Sequence, residues 1–141
     1  MSKYKDKLIT KISNHTKSQY ELIDKKDMRM GIGLFNRACH RNSVQKIKEG
    51  ASESVWAVIA INSYGFPIVH FINKDSDGKF VDNTLGWEYE YLDYYIVDKV
   101  KECDFENIAQ LLLDIKDDLI SKCGNKFFNK ILNIKNDNLG I

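Results

Sequence analysis

Residues 54–84, SVWAVIAINSYGFPIVHFINKDSDGKFVDNT, carry the change of periodicity that decides the fold class. Val55 to Ile61 is a continuous apolar run rich in β-branched side chains, the pattern of a well-buried strand. Asn62-Ser-Tyr-Gly65 is turn chemistry. Phe66 to Asn73 reads as a second strand, with Pro67 at its start, where a missing N–H is tolerated. Lys74-Asp-Ser-Asp-Gly78 is another turn and Lys79 to Thr84 a third strand, and the aromatic, acidic segment Trp87 to Val97 is expected to add one or two more.

On either side of this block the pattern is helical. Tyr4, Leu8, Ile12 and then His15 or Thr16 recur at three- and four-residue spacing, which predicts helix over 3–26. A second helical segment could start at Ser13-Asn14 or Ser18 and carry Tyr20 and Ile23. Gly31-Ile-Gly33 breaks the pattern. Leu34, Phe35, Ala38 and Cys39 then crowd one face of a helix expected to start near Asn36, run to Lys48 and close at Gly50. Beyond the strands, Asp104 can cap a helix whose apolar stripe is Phe105, Ile108, Ala109, Leu112, Ile115 and Leu119. Gly124 stops it, and Phe127, Phe128, Ile131 and Leu132 predict a last short helix. The expected class is α+β: N-terminal helices, a short antiparallel sheet of hairpins, and C-terminal helices. We expect one domain over 1–141, with a helical segment 1–30, a core 31–100 and helices 101–141.

Composition supports a packed domain. The chain has 141 residues, 43% hydrophobic and 29% charged, with 7 Tyr, 7 Phe, 2 Trp and 1 Pro. Such a chain carries enough apolar surface to offset chain entropy, which excludes disorder, and its Gly and Pro counts exclude collagen-like and low-complexity classes. No apolar run is long enough to span a bilayer. The charged N-terminal residues lead into no apolar segment, so we expect no secretory leader. The 3 cysteines show no framework spacing, so they read as reduced thiols of a cytoplasmic protein, with Cys103 and Cys123 as small buried hydrophobes. Residues 1–50 hold 12 Lys/Arg against 5 Asp/Glu, and residues 51–141 hold 9 against 15. The basic half is spaced like solvated helix faces, so nucleic acid is not the expected partner.

Three residues point to chemistry. If Lys74–Gly78 is a symmetric five-residue hairpin loop, Asn73 faces Lys79 and His70 faces Asp82 across the two strands. Cβ atoms so paired lie about 5 Å apart. A carboxylate there can fix the imidazole tautomer and leave the other ring nitrogen as a base. Cys39, in the first turn of its helix, lies where unpaired N–H groups favour a thiolate and where its own N–H can help bind an oxyanion. Together they have the logic of nucleophile, base and orienter in covalent acyl chemistry.

Cys39-His-Arg-Asn42, Pro67-Ile-Val-His70-Phe71 and Gly78-Lys-Phe-Val-Asp82-Asn-Thr84 resemble the papain-like superfamily in its transglutaminase-like and NlpC/P60-type arrangement. In that pattern a helix Cys precedes a strand His and a G-x-x-V-D-x-T strand. The likeness spans residues 31–86. It implies Cys39 as nucleophile, His70 as base and Asp82 as orienter, in a hydrolase or acyltransferase that opens an amide or ester through a thioester. By resemblance, the substrate class is protein or peptide, with no cofactor. Asn36, the only amide just before Cys39, and Asn42 are candidate substrate-binding residues, as is Trp87, which is close to Asp82 in the chain. A non-catalytic binding module on the same fold is the alternative.

Other motifs carry less. Asn73 to Phe80 matches the start of a calcium loop, but its twelfth position is Thr84 rather than Glu, so a hairpin turn is the better account. Cys39-His40 has no second pair at zinc-ligand spacing, and no metal is expected. Gly31-Ile-Gly33 lacks the third glycine and the preceding strand of a nucleotide fingerprint. The strip Trp87, Tyr89, Tyr91, Tyr94, Tyr95 has two readings, a partner or substrate groove whose acidic neighbours argue against nucleic acid, and, as the better account, a strand packing its odd-numbered face.

Overall fold

The computed structural model describes residues 3–33, 38–134 and 139–141. Helix α1 (Lys3–Gln19) is followed by two short strands, β1 (Glu21–Leu22) and β2 (Met28–Met30), with a 3-10 turn at Lys25–Asp27 between them. Helix α2 (Cys39–Lys48) leads to β3 (Ser54–Ile61), β4 (Pro67–Lys74) and β5 (Phe80–Asp82). A 3-10 helix (Gly86–Tyr91), β6 (Asp93–Val100), a second 3-10 helix (Glu102–Asn107), α3 (Ile108–Cys123) and α4 (Lys126–Ile131) complete the described elements. The class is α+β, with N- and C-terminal helices flanking one curled sheet.

The sheet has the order β1-β6-β3-β4-β5-β2. The central strands β6, β3 and β4 are antiparallel, and the expected sheet of antiparallel hairpins is corrected at one edge, where β2 runs parallel to β5. Curling follows from chain length. β1 and β2 occupy opposite edges of this six-stranded sheet, yet only Ile23 to Asp27 separate them. Six peptide steps reach at most about 20–22 Å, whereas five strand spacings laid flat come to about 24 Å. One short segment can touch both edges only if the sheet bends toward closure. A register shift at Ala57/Val58, where β3 meets β6, adds to the bend.

The two faces of the curl divide the core. The convex face presents Ile59, Ile61 and Val69 to Leu8, Ile12, Leu119 and Ile120 of α1 and α3, and Val55, Ala57 and Phe71 to Val44 and Ile108. Leu139 and Ile141 also pack into this layer. The concave face gathers Ile23, Met28, Val58, Ala60, Ile72, Phe80, Leu92 and Tyr94.

Several expectations are corrected. The N-terminal helix stops at Gln19 rather than continuing to 26, because residues 20–30 find backbone partners in the sheet: Leu22 pairs with Tyr95 and Met28 with Phe80. No second helical segment carries Tyr20 and Ile23. Residues 86–91 form a 3-10 helix rather than a strand, so the aromatic strip does not pack its odd-numbered face: Trp87 and Tyr91 are exposed. Asp104 lies inside a 3-10 segment and not at a cap position. The helix begins at Ile108 behind a 3-10 segment, with Asn107 at the cap position. Cys103 is exposed and Cys123 half-buried, against the expectation of two buried hydrophobes. Cys103 falls on the 3-10 segment and not on a helix stripe.

Candidate functional site

β4 and β5 pair only at Asn73↔Val81 and Lys74↔Phe80, and then fork. The hairpin between them differs from expectation. The Asp75 N–H donates to the Lys79 carbonyl and the Gly78 N–H to the Asp75 carbonyl, so the loop is Ser76 to Gly78. Gly78 has φ +80°, the left-handed conformation that a three-residue hairpin needs at this position. The register therefore slips by two residues, and Asp82 is not directly opposite His70. An even slip keeps both side chains on one face, as diagonal neighbours within reach of longer side chains. His70 Nε2 lies 2.8 Å from Asp82 Oδ2.

Asp82 is fully buried, and its carboxylate is saturated. Oδ1 accepts the backbone N–H groups of Thr84 at 3.0 Å and Leu85 at 2.9 Å, while Oδ2 receives His70 and the Tyr94 hydroxyl, the latter at 2.5 Å. Burial pushes the Asp82 carboxyl up, but the His70 charge and these donors bring it below the ordinary carboxylate value. Tyr94 escaped the sequence reading. It was visible only as one aromatic in a strip, and nothing local showed that its hydroxyl would meet a carboxylate 12 residues earlier.

Cys39 is the first residue of α2, and Ala38 at the cap position offers no side-chain acceptor. The helix packs on the convex face, and its first residue reaches the edge of β4 that the fork leaves open. There the sulfur meets the Phe71 backbone N–H and the His70 ring. Because Nε2 is committed to Asp82, Nδ1 is the ring nitrogen left for the thiol. Burial raises the Cys39 thiol, yet the His70 hydrogen bond and charge, with the Phe71 N–H, take it below its ordinary value. Burial works equally against a charged His70, and the Asp82 carboxylate with the Cys39 sulfur outweighs it, raising the ring to about 10. The structure thus places the His70 ring against the Asp82 carboxylate at 2.8 Å, with the Cys39 thiol close enough for each to shift the other.

The other named residues fare differently. The Asn42 side chain is buried and donates to Thr84 Oγ1 at 2.9 Å, tying α2 to the turn after β5. Trp87 is 61% exposed, its ring edge-on to Tyr91 at 5.9 Å. Asn36 lies outside the described residues. An open depression of about 410 Å³, lined by Ala38, Arg41, Asn42 and Gln45, adjoins Cys39 along the chain.

Two supports of the site were not legible in advance. The Asn73 amide donates to the Ser43 and Ser54 carbonyls at 2.9 and 3.2 Å and accepts from Asn83 Nδ2 at 2.9 Å, locking α2, β3, β4 and the turn after β5 together. Gly31 lies against β5 so closely that a Cβ there would fall 2.0 Å from the Asp82 carbonyl oxygen. Gly31 thus permits a close approach of backbones, where the sequence pattern suggested only a helix breaker. In the loop with calcium-like spacing, Arg29 binds both Asp75 and Asp77, the latter at 3.2 Å. Among the described residues, no group of three or more His, Cys, Asp or Glu side chains is set to hold a metal ion, and no helix is long and apolar enough to cross a membrane. Comparison with family models, curated proteins and solved structures gives no match.

Proposed function

We propose that this protein is a cysteine-dependent hydrolase or acyltransferase of papain-like, transglutaminase-like arrangement, acting on an amide or ester bond of a protein or peptide. The observation that carries the reading is the buried chain Cys39–His70–Asp82, with the thiol lowered and the imidazole raised. Two groups that shift each other in this sense favour thiolate and imidazolium, the form a cysteine nucleophile needs.

In this reading the Cys39 thiolate attacks the carbonyl carbon, and the electron pair of the C=O moves to oxygen beside the backbone N–H groups that open α2. The tetrahedral adduct collapses, the C–N or C–O bond breaks, and His70 gives its proton to the leaving amine or alcohol. Water or an amine then attacks the thioester, His70 takes the incoming proton, and Cys39 leaves as thiolate. Asp82 holds the ring throughout. The depression lined by Ala38, Arg41, Asn42 and Gln45 is the candidate approach for substrate on this helix.

A second reading is a binding module in which the trio is a polar knot in the core. It is favoured by the small exposure of Cys39, 6%, and of His70, 4%.

Alkylation of Cys39 by iodoacetamide across pH, resolved by mass spectrometry, separates the two. The enzyme reading expects Cys39 to react well below the free-thiol pKa of about 8.5, and to lose that reactivity in His70→Ala. Exposed Cys103 serves as the internal comparison. An inert Cys39, or one indifferent to position 70, overturns the enzyme reading.

A further inference from the structure

Tyr94 is fully buried on β6, two strands away from β4, in the concave cluster with Ala60 and Ile72. Its register partner on β3 is Ala60, a small side chain over which an aromatic ring can extend. Its hydroxyl ends on Asp82 Oδ2, the same oxygen that receives His70 Nε2, while Oδ1 is filled by two backbone N–H groups. Two donors sharing one carboxylate oxygen compete for its electron density, and each weakens the grip on the other.

We propose that Tyr94 is a positioning residue for His70: by donating to the Asp82 oxygen that binds the imidazole, its hydroxyl sets how tightly the ring keeps its proton. The inference rests on the reading of Cys39, His70 and Asp82 as a catalytic set, and assigns the fourth member of that chain. Too strong a hold by Asp82 leaves His70 a poor acid toward the leaving group. The tyrosine hydroxyl relaxes that hold. His70 is faced by Asp82 from β5 and Cys39 from α2, with Tyr94 behind Asp82. Around Tyr94, Lys25 Nζ lies 5.2 Å above the ring and Glu88 adds its charge, and Lys25 is itself under the influence of Asp93.

The test is the titration of ring nitrogens by NMR in protein labelled with 15N-histidine, whose 3 histidines give few signals to assign. Wild type, Tyr94→Phe, Cys39→Ala and the double variant are compared, with thermal unfolding of each. The expected result is an upward shift of the His70 titration by about one unit in Tyr94→Phe, repeated in the Cys39→Ala background because it passes through Asp82. Alkylation of Cys39 in Tyr94→Phe should extend to lower pH.

A Tyr94→Phe protein that keeps its fold and leaves His70 unmoved overturns the inference. A wild-type His70 that titrates as an ordinary histidine, indifferent to Cys39→Ala, overturns the catalytic reading instead. If Tyr94→Phe does not fold, Ala60→Val, which crowds the ring while keeping the hydroxyl, replaces it. An unmoved His70 in that variant, with the Tyr94 ring displaced, again overturns the inference.

Discussion

The concave and convex faces of the sheet are both buried, and they are held by different physics. On the convex side Ile59, Ile61 and Val69 meet α1 and α3 through apolar contacts. On the concave side the apolar cluster ends at the fork of β4 and β5, and the buried side chains of His70, Asp82 and Tyr94 take over. Apolar packing is non-directional and accepts substitutions that keep volume. A buried polar knot accepts few, since each donor must keep its acceptor. One face therefore supplies stability, and the other supplies geometry that the first protects.

Asp82→Ala is the strongest challenge to that division. It strips acceptors from His70, Tyr94, Thr84 and Leu85 at once, and breaking a buried pair of this kind costs about 3–5 kcal/mol. Denaturant unfolding should show that loss, and Cys39 should lose its low-pH alkylation. A cost below about 1 kcal/mol would mean that the knot is no more than surface-like polarity. Ile59→Ala, on the convex side, should cost about 3 kcal/mol through the cavity it leaves, while the alkylation profile of the folded protein stays put. A changed profile would show that the faces are coupled. Gly31→Ala joins the two effects: its Cβ would collide with the Asp82 carbonyl, so we expect roughly 2 kcal/mol of destabilisation together with a disturbed Cys39 profile.

Stability against pH gives a smaller, signed test. His70 rises from 6.5 to about 10 on folding. Its contribution is fully present below about 6.5 and is lost as pH climbs through about 10. The Asp82 value falls on folding from 3.8, so its contribution is present above that value and is lost as pH drops through the folded one. Thermal unfolding should therefore show a plateau in mildly acidic solution and a decline of several degrees on the alkaline side, flattened in His70→Gln. Trp87→Ala should do least, shifting stability by less than about 0.5 kcal/mol, since the ring is exposed and rests on Tyr91. A larger loss would make the 3-10 helix part of the core.

What could be read from residues alone was local. The apolar run of β3 and the turn chemistry around β4 placed both strands within a residue of their observed limits, and Gly50 marked the end of α2 at Lys48. Cys39, His70 and Asp82 were legible as types on neighbouring elements. What escaped was non-local. β1 and β2 are two and three residues long, too short to show a period, and exist because distant strands offer them partners. The hairpin register depended on Asp75 closing the loop, which its composition did not distinguish from a wider turn. Tyr94 reaches Asp82 only through the curl of the sheet, a property of the whole chain.

That curl also decides what forms the borders of the sheet. A sheet normally ends in two rows of unsatisfied amides and carbonyls, open to capture by another chain. Here a single segment of ten residues, Glu21 to Met30, supplies both edge strands. The arrangement is economical and vulnerable in equal measure: Lys26 and Asp27 at its centre are exposed, and one proteolytic cut between them would loosen both borders of the sheet together.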